Sequence, residues 1–213
     1  MIAPADAELR RRFPTVPERR RPVQPASPSS TVVLASNRGP AAPRHPFEAK
    51  RMIERDKSRI LFVCMGNICR SPIVETVARV ELARAGIAAE VASAGTERYH
   101  VGQRADPRAI EIAEANGYPL AQHRARQVAP DDFARFDLVL AMDRVNLDAL
   151  GRHRPHGARE PFLFLDHVGF DELDEVPDPY YGSRRDFERV LDLARRGSAL
   201  LIDRMRAPER ARA

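Results

Sequence analysis

The most informative segment of the chain is Val63-Cys64-Met65-Gly66-Asn67-Ile68-Cys69-Arg70-Ser71-Pro72. It follows an apolar run, Ile60-Leu61-Phe62-Val63, which is short, β-branched or aromatic, and free of charge. Such a run predicts a strand buried on both faces, typical of a parallel sheet. Ser71 is a suitable cap for a following helix, and Pro72 fits its first position. The segment therefore predicts a strand, a tight loop and a helix in direct succession.

The loop between this strand and helix opens with Cys64 and closes with Arg70. Backbone N–H groups in such a loop converge on its centre, and the helix N-terminus adds positive potential. The loop thus predicts an anion site with a sulfur at its base and a guanidinium at its rim. A thiolate there can attack phosphorus, and the arginine can bind two oxygens. A buried cysteine and an unrelated surface arginine are the alternative, which the strand and the Ser-Pro helix start disfavour.

Charge and proline are unevenly distributed along the chain of 213 residues. Residues 1–57 hold 12 Lys/Arg and 6 Asp/Glu, whereas the whole chain carries +5, so residues 58–213 are close to neutral. Half of the 18 prolines also lie in residues 1–57. We interpret this part as a disordered, basic, Pro/Arg-rich extension, because it cannot bury enough apolar surface to offset chain entropy. The composition favours a solvated tail over an arm that contacts nucleic acid or anionic membrane.

The cysteine count predicts a reducing compartment. Cys64 and Cys69 are the two cysteines of the chain, so no disulfide framework beyond that pair is available. No apolar stretch is long enough to span a membrane, and the first residues lack a signal-peptide core. We therefore expect a cytoplasmic protein. His153, His156 and His167 lack the carboxylate or thiol spacing of a metal site, so we expect no metal and no cofactor.

From Arg59 onward, strand and helix patterns alternate. This predicts an α/β fold of three layers, in which a four-stranded parallel sheet carries helices on both faces, as in flavodoxin-like and Rossmann-like folds. The phosphate-binding loop follows the first strand, and the site lies at the carboxyl ends of the strands. The strands are predicted at Ile60–Val63, Ala88–Ser93, Phe136–Ala141 and Pro161–Leu165. The helices are predicted at Pro72–Ala85, from Asp106 to Asn116, as a turn at Asp131–Arg135, from Asp143 to Leu150 with Gly151 closing it, and at Ser183–Met205.

Three separated pieces of the chain resemble the low-molecular-weight protein tyrosine phosphatases. They are the loop at 63–72, Ser93-Ala94-Gly95-Thr96, and Asp178-Pro179-Tyr180-Tyr181-Gly182 with Asp186-Phe187 behind it. Met142-Asp143-x-x-Asn146 also matches the family. The resemblance covers about residues 59–206, so residues 58–213 are interpreted as a phosphatase domain. It implies hydrolysis of phosphotyrosine through a cysteinyl-phosphate, without a metal.

The chemistry of phosphate monoesters agrees with this implication, because their uncatalysed hydrolysis is extremely slow and needs both a nucleophile and a proton donor. Cys64 is the expected nucleophile, since the loop and the helix dipole favour a thiolate. Arg70 is expected to bind the phosphoryl oxygens, and Ser71 to donate a hydrogen bond to the departing sulfur. The resemblance gives Asp178 the role of general acid and then general base.

Supporting roles follow from the resemblance as well. The phosphate-binding loop would comprise Met65, Gly66, Asn67, Ile68, Cys69 and Ser71 beside the catalytic Cys64 and Arg70. Asn67 would adopt the left-handed backbone conformation that Asn tolerates, and Ser93 would hydrogen-bond to it. His123 would lie behind the same loop, although a partly exposed histidine at a helix end is an equal alternative. Asp106 matches an acidic family position, but helix capping explains it as well.

Aromatic walls indicate the substrate class. Tyr99, Tyr180 and Tyr181, with the apolar Ile68, would flank a flat ring, and each aromatic pair adds about 0.5–1.5 kcal/mol beyond area burial. A related family that acts on phosphoarginine has Thr in place of Ile68 and lacks the paired tyrosines. Arsenate reductases need further cysteines after Cys69, and this chain has none. A non-catalytic phosphoprotein-binding regulator is the alternative of another class.

The remaining expectations concern regulation and partners. Cys69 is either a small buried side chain or, as the resemblance favours, a resolving thiol that forms a reversible disulfide with Cys64 under peroxide. The expected partner is a phosphotyrosine protein, which in bacteria is often a tyrosine autokinase. We expect a monomer or a weak dimer.

Overall fold

The computed structural model describes residues 57–207 of the chain. Within that range, four strands form one parallel sheet: β1 at Ser58–Cys64, β2 at Ala89–Gly95, β3 at Leu138–Ala141 and β4 at Phe162–Leu163. Their order across the sheet is β2-β1-β3-β4, which is the flavodoxin-like arrangement. Phe62 of β1 lies between Ser93 of β2 and Leu140 of β3. The predicted fold class is confirmed. The extension predicted for residues 1–57 lies outside the described residues except for Lys57.

Six helices connect and cover the strands within residues 57–207. They are α1 at Arg70–Arg84, α2 at Pro107–Ala115, α3 at Asp132–Arg135, α4 at Arg144–His153, α5 at Phe164–Val168 and α6 at Arg184–Arg206. Asp106 caps α2 by accepting a hydrogen bond from the backbone of Arg108, as predicted. None of these helices has both the length and the apolar content that a membrane crossing requires.

The two faces of β1 bury different clusters, which is why its sequence is apolar throughout. Ile60, Phe62 and Cys64 face a cluster that includes residues of α1, α2, α5 and α6. Leu61 and Val63 face a second cluster with residues of α3 and α4. Complete burial of one such side chain stabilises the fold by about 1.5–3 kcal/mol. The central strand is therefore held from both sides, and its carboxyl end, where Cys64 lies, is fixed in position.

Glycine inside α6 has a packing reason. A Cβ atom at Gly197 would lie 2.6 Å from the ring of Phe164, so only glycine allows α5 to pack this closely on α6. The same phenylalanine meets Phe62 of β1 edge to face, with ring centroids 5.2 Å apart. This contact joins α5, α6 and the centre of the sheet.

Some element boundaries differ from the predictions. Ser71 was expected to cap a helix that begins at Pro72, but α1 begins two residues earlier, at Arg70, and no side chain caps it. The hydroxyl of Ser71 is instead engaged with Cys64 and Asn67. The predicted strand Pro161–Leu165 is a strand of two residues followed by α5, because a helix buries Phe164, Leu165 and Val168 on one side.

Two further boundaries shift for local reasons. The third strand begins at Leu138 rather than Phe136. Asp137 there directs its carboxylate to the backbone N–H and the guanidinium of Arg59, while the ring of Phe136 is buried. The helix predicted to close at Gly151 continues to His153.

Candidate active site

The loop that joins β1 to α1, residues 64–70, is called the cysteine loop below. Its carbonyl groups point outward to neighbouring backbone: Cys64 accepts from the N–H of Thr96 at 2.9 Å, and Met65 accepts from Glu97 at 3.0 Å. The carbonyl of Ile68 accepts from Asp106 at 2.8 Å. Within residues 57–207, no acceptor takes the backbone N–H groups of residues 65–69. These donors are therefore available to an anion, as the sequence predicts.

Asn67 organises the cysteine loop from the inside. It has φ of 55°, in the left-handed region that the sequence predicts for it, and it is fully buried. Its side-chain amide donates to Ser71 at 2.9 Å and to Ser93 at 2.8 Å. Its side-chain oxygen accepts from the backbone N–H of Arg126 at 2.9 Å. One side chain therefore joins the loop to α1, to β2 and to the segment that follows α2.

The hydrogen bonds through Asn67 end at the sulfur. Ser71 accepts from Asn67, so its own hydroxyl proton can be donated to the sulfur of Cys64, 3.0 Å from the oxygen, or to the carbonyl of Ala94 at 3.3 Å. On the other side, Ser93 accepts from Asn67 and donates to the carboxylate of Glu75 at 2.6 Å. A continuous chain of donors therefore runs from a carboxylate acceptor in α1 to Cys64, and it orients the Ser71 hydroxyl.

His123 also lies behind the loop, as expected. Its Nε2 atom is 2.8 Å from the backbone carbonyl of Asn67, and its Nδ1 atom is 3.9 Å from Glu75. Burial lowers the pKa of His123, and the Asn67 carbonyl and Glu75 act in the opposite direction. Glu75 was missed in the sequence. Its spacing of four from Ser71 on α1, which places both side chains on one face, is the signal that could have found it.

Arg70 joins the cysteine loop to two carboxylates, those of Asp143 and Asp178. Its side chain is 3% exposed and contacts Asp143 through one terminal nitrogen and Asp178 through the other, the latter at 2.7 Å. The first of these nitrogens also donates to the carbonyl of Val176 at 3.3 Å. Burial opposes the charge, but Cys64, Asp178 and Asp143 raise the pKa of Arg70 above its ordinary value. The guanidinium is therefore a cation held between carboxylates and the sulfur.

Asp143, the predicted start of α4, also has a function that its motif alone did not reveal. One carboxylate oxygen caps α4 by accepting from the N–H of Asn146, and the other binds Arg70. It thereby orients the guanidinium from the side away from Asp178. Asp178 itself lies in residues 177–183, called the Asp178 loop below. Its side chain is 47% exposed, and its second oxygen accepts from the N–H of Tyr180 at 3.1 Å.

A cleft of about 320 Å³ opens above the cysteine loop. The loop forms its base, and Arg70 and Asp178 reach it together with Tyr99, His100, Tyr180 and Tyr181. The rings of Tyr180 and Tyr181 meet edge to face at 4.9 Å. The sequence did not single out His100, whose ring lies close to Gly66, where a Cβ atom would come within 2.9 Å of it. The cleft thus combines an anion-binding base with aromatic walls.

Cys69 is buried next to the site, and both cysteines are free thiols. Burial, followed by the charges of Asp106 and Cys64, raises the pKa of the Cys69 thiol. Cys69 is therefore a poor thiolate in the resting protein. No cluster of three or more His, Cys, Asp or Glu side chains in the described part of the chain is arranged to hold a metal ion.

Comparisons with known proteins agree with this geometry. The family model described as low molecular weight phosphotyrosine protein phosphatase matches residues 59–210. The low molecular weight protein-tyrosine-phosphatase of Streptomyces coelicolor is 43% identical over 162 residues, which is 73% of this chain and 98% of that protein. The low molecular weight phosphotyrosine protein phosphatase of Schizosaccharomyces pombe is 42% identical over 133 residues, 61% of this chain and 85% of that one.

Solved structures give the same result. A protein tyrosine phosphatase from Entamoeba histolytica with Hepes in its active site superimposes with a TM-score of 0.66 at 36% identity, covering 70% of this chain and 97% of that one. Wzb from Vibrio vulnificus in complex with benzylphosphonate gives a TM-score of 0.62 at 31% identity, covering 69% and 98%. The fold, the loop and these matches together lead to one conclusion: the chain belongs to the low molecular weight phosphotyrosine protein phosphatase family.

Proposed function

We propose that the protein hydrolyses phosphotyrosine in proteins through a cysteinyl-phosphate intermediate. One observation carries this proposal: the sulfur of Cys64, the guanidinium of Arg70 and the carboxyl group of Asp178 all reach the same cleft. A nucleophile, a charge stabiliser and a proton donor are what the cleavage of a phosphate monoester requires. An anion-binding protein without catalysis would need only the cysteine loop and Arg70.

In the first step the Cys64 thiolate attacks phosphorus. The S–P bond forms while the bond from phosphorus to the phenolic oxygen breaks, and Asp178 gives its proton to that oxygen. The free N–H groups of the cysteine loop and the guanidinium of Arg70 bind the three equatorial oxygens as the phosphoryl group becomes planar. These donors are already in place before the substrate arrives, so little reorganisation is required.

In the second step water attacks the cysteinyl-phosphate. Asp178, now a carboxylate, takes a proton from the water, and the S–P bond breaks to release phosphate and the thiolate. The Ser71 hydroxyl, 3.0 Å from the sulfur, stabilises the negative charge that returns to it. The hydrogen bond from Asn67 makes the Ser71 oxygen an acceptor, which leaves its proton for the sulfur or for the carbonyl of Ala94.

The walls of the cleft support an aryl phosphate as substrate. Cys64 is buried at the base, so a side chain must be long enough to carry its phosphate down to the sulfur. Tyr180 and Tyr181 offer edge and face contacts to a ring, and Ile68 adds an apolar surface. The related Wzb of Vibrio vulnificus was solved with benzylphosphonate, which has a ring and a phosphonate group.

Phosphopeptide turnover by the full chain tests this proposal. Peptides that carry phosphotyrosine should be hydrolysed, phosphoserine peptides much more slowly, and a metal chelator should have no effect. Cys64→Ser should reduce turnover to background while inorganic phosphate still binds. Faster release from phosphoarginine peptides would make the protein a phosphoarginine phosphatase. Binding of phosphopeptides without turnover would make it a regulator.

We further propose that Cys69 protects the nucleophile. Peroxide oxidises Cys64 to a sulfenic acid, and attack by the sulfur of Cys69 expels water and forms a Cys64–Cys69 disulfide that thiols reduce. Because burial raises the pKa of Cys69, this resolution should be slow at neutral pH. Cys69→Ala should lower the fraction of activity that dithiothreitol recovers after peroxide treatment, because the unprotected sulfenic acid is oxidised further to the sulfinic acid, which thiols do not reduce. Equal recovery in the variant and the unchanged chain would contradict this role.

The thiol chemistry also supports a cytoplasmic location, where Cys64 stays reduced. The proposed partner is a phosphotyrosine protein, in a bacterium a tyrosine autokinase. Residues 1–57 are proposed to be an appendage that catalysis does not need. Salt-sensitive binding of the full chain, but not of residues 58–213, to anionic vesicles or DNA would instead give the extension a function.

A further inference from the structure

The Asp178 loop is held to the rest of the molecule by few contacts. Val176 before it and Phe187 after it are fully buried. Between residues 177 and 183, however, Pro179 alone is buried. The loop therefore cannot be positioned by apolar packing, and polar contacts must decide where Asp178 lies.

Arg108 supplies such contacts from outside the loop. The guanidinium donates to the carbonyl of Tyr180 at 3.0 Å and to the carbonyl of Gly182 at 3.1 Å. The same group forms a paired hydrogen bond with both carboxylate oxygens of Asp106, at 2.8 and 3.0 Å, and its carbon lies 4.4 Å from the ring centroid of Phe187. A planar guanidinium with several fixed donors is suited to such a bridge.

The bridge reaches the cysteine loop through Asp106. The carboxylate of Asp106 orients Arg108, and its backbone N–H donates to the carbonyl of Ile68 in the cysteine loop at 2.8 Å. The two loops that form the cleft are therefore connected through two residues at the start of α2. A displacement of Arg108 would alter the distance between the sulfur and the Asp178 carboxyl group.

The second tie between the loops is the ion pair of Asp178 with Arg70 at 2.7 Å. A phosphate dianion in the cysteine loop competes for the same guanidinium donors, because a bidentate contact takes two parallel N–H groups of the guanidinium. Once substrate is bound, Asp178 must give up that contact to address the leaving oxygen. The hydrogen bonds from Arg108 to the carbonyls of Tyr180 and Gly182 do not compete with the substrate in this way.

We propose that Arg108 is the positioning residue that holds the Asp178 loop in place while substrate occupies Arg70. This inference rests on the proposed role of Asp178 as general acid. Loss of Arg108 should therefore lower the rate most for substrates whose leaving group needs a proton, and little for substrates whose leaving group departs without one. Misplacement of a catalytic group by about 1 Å can cost roughly 100-fold in rate.

The test compares aryl phosphates of graded leaving-group pKa in the full chain. Asp178→Ala should lose about 10²- to 10⁴-fold in kcat/KM, which reports the first step and not the hydrolysis of the cysteinyl-phosphate, for phenyl phosphate and far less for dinitrophenyl phosphate. Arg108→Met, which keeps a long unbranched side chain but cannot donate, should show the same dependence with a loss of about 10- to 100-fold for the poor leaving group. Arg108→Lys should recover part of the loss, since one ammonium can reach one carbonyl.

Two controls separate positioning from a general loss of structure. Vanadate affinity, which reports the cysteine loop, should be unchanged in Arg108→Met. Arg184→Met should leave the kinetics unchanged, because the exposed guanidinium of Arg184 pairs with Glu111 and Glu188 and touches no carbonyl of the Asp178 loop. In an Asp178→Ala background, Arg108→Met should have little further effect on any substrate.

Three outcomes decide the matter. If Asp178→Ala lowers kcat/KM equally for all leaving groups, the proposed role of Asp178 as general acid is wrong. If Asp178→Ala shows the expected dependence but Arg108→Met does not, the acid role stands and the positioning role of Arg108 is overturned. If Arg108→Met lowers the rate by the same factor in the Asp178→Ala background as in the unchanged chain, the positioning role of Arg108 is also overturned. If the methionine variant does not fold, Arg108→Lys is compared in the same way.

Discussion

The two loops that meet at the cleft are stabilised in opposite ways. In the cysteine loop, Asn67 is fully buried and makes hydrogen bonds to three separate parts of the fold. In the Asp178 loop, the side chain of Asp178 is 47% exposed and Tyr181 is 98% exposed. The proposed nucleophile and the anion-binding groups are thus preorganised, whereas the proposed proton donor and the aromatic wall depend on a few polar contacts. Changes in the first loop should affect stability and catalysis together, and changes in the second should affect catalysis alone.

Arg70 gives the strongest test of this difference between the loops, because it ends the cysteine loop and contacts Asp178 in the other loop. Arg70→Lys keeps a positive charge but loses the paired donors to Asp143 and Asp178. We expect kcat to fall by about 10²- to 10³-fold for every aryl phosphate, whatever the leaving group, since transition-state binding is lost. Steady-state kinetics over a series of leaving groups measures this. A loss limited to poor leaving groups would mean that Arg70 acts mainly through Asp178.

Asn67 tests the preorganised loop. Asn67→Ala leaves the backbone N–H of Arg126 without its partner and removes one hydrogen bond each from Ser71 and Ser93; an unsatisfied buried group costs about 1–3 kcal/mol. We expect a lower free energy of unfolding in urea together with weaker vanadate binding. Asn67→Gly is the matched control, since glycine accepts the φ of 55° without strain but equally lacks the amide. If glycine restores stability fully, backbone strain rather than hydrogen bonding explains the role of Asn67.

Tyr181 tests the exposed loop. Because the ring is 98% exposed, Tyr181→Ala should change the free energy of unfolding by no more than about 0.5 kcal/mol. Loss of one aromatic contact with the substrate ring, about 0.5–1.5 kcal/mol, should raise KM for phosphotyrosine peptides by roughly 2- to 10-fold. Thermal unfolding and peptide kinetics are measured on the same preparation. A marked drop in stability would contradict the division between the two loops.

The smallest effect is expected at the link between the loops, Asp106. Burial tends to raise the pKa of Asp106, but hydrogen bonds and charge from Arg108 lower it below the ordinary value. A carboxylate with a lowered folded-state pKa stabilises the protein above its unfolded pKa of about 3.9 and loses that contribution as pH falls through the folded value. Asp106→Asn keeps the helix cap. The stability difference between the two proteins should be constant near neutral pH and shrink below about pH 4.

Much of the fold could be predicted because its signals are local. The apolar run before Cys64, the Asp-Pro start of α2 and the alternation of strands and helices each determine one element and its neighbours. The boundaries that differed involve tertiary contacts. Ser71 has the chemistry of a helix cap, but its hydroxyl binds the sulfur. The pattern around Phe164 predicts a strand, although a helix buries its ring. The contact of Ser71 with the sulfur was expected, but not that it would replace the helix cap, and the packing of Phe164 cannot be inferred from residues near it in the chain.

The site divides in the same way. Cys64, Arg70 and Asp178 were found through motifs, and the structure brings them to one cleft. The motifs did not reveal the roles of four other residues, because each acts across long sequence distances. They are Glu75, Asp143 in its contact with Arg70, His100 and Arg108. Arg108 beside Asp106 reads as an ordinary ion pair at a helix start. Its contacts with carbonyl groups more than seventy residues away carry no sequence signal, since any residue supplies a carbonyl.

The outward-facing carbonyl groups of the cysteine loop have a consequence for folding. Cys64 and Met65 bond to the N–H groups of Thr96 and Glu97, which directly follow β2, and a Cβ atom at Gly95 would lie 2.6 Å from the Met65 carbonyl. The loop can therefore close only on a sheet in which β2 has already paired with β1. The ability to bind an oxyanion therefore depends on the pairing of β1 with β2. A bound oxyanion should in turn raise Tm by mass action, because it binds only to chains whose sheet is complete.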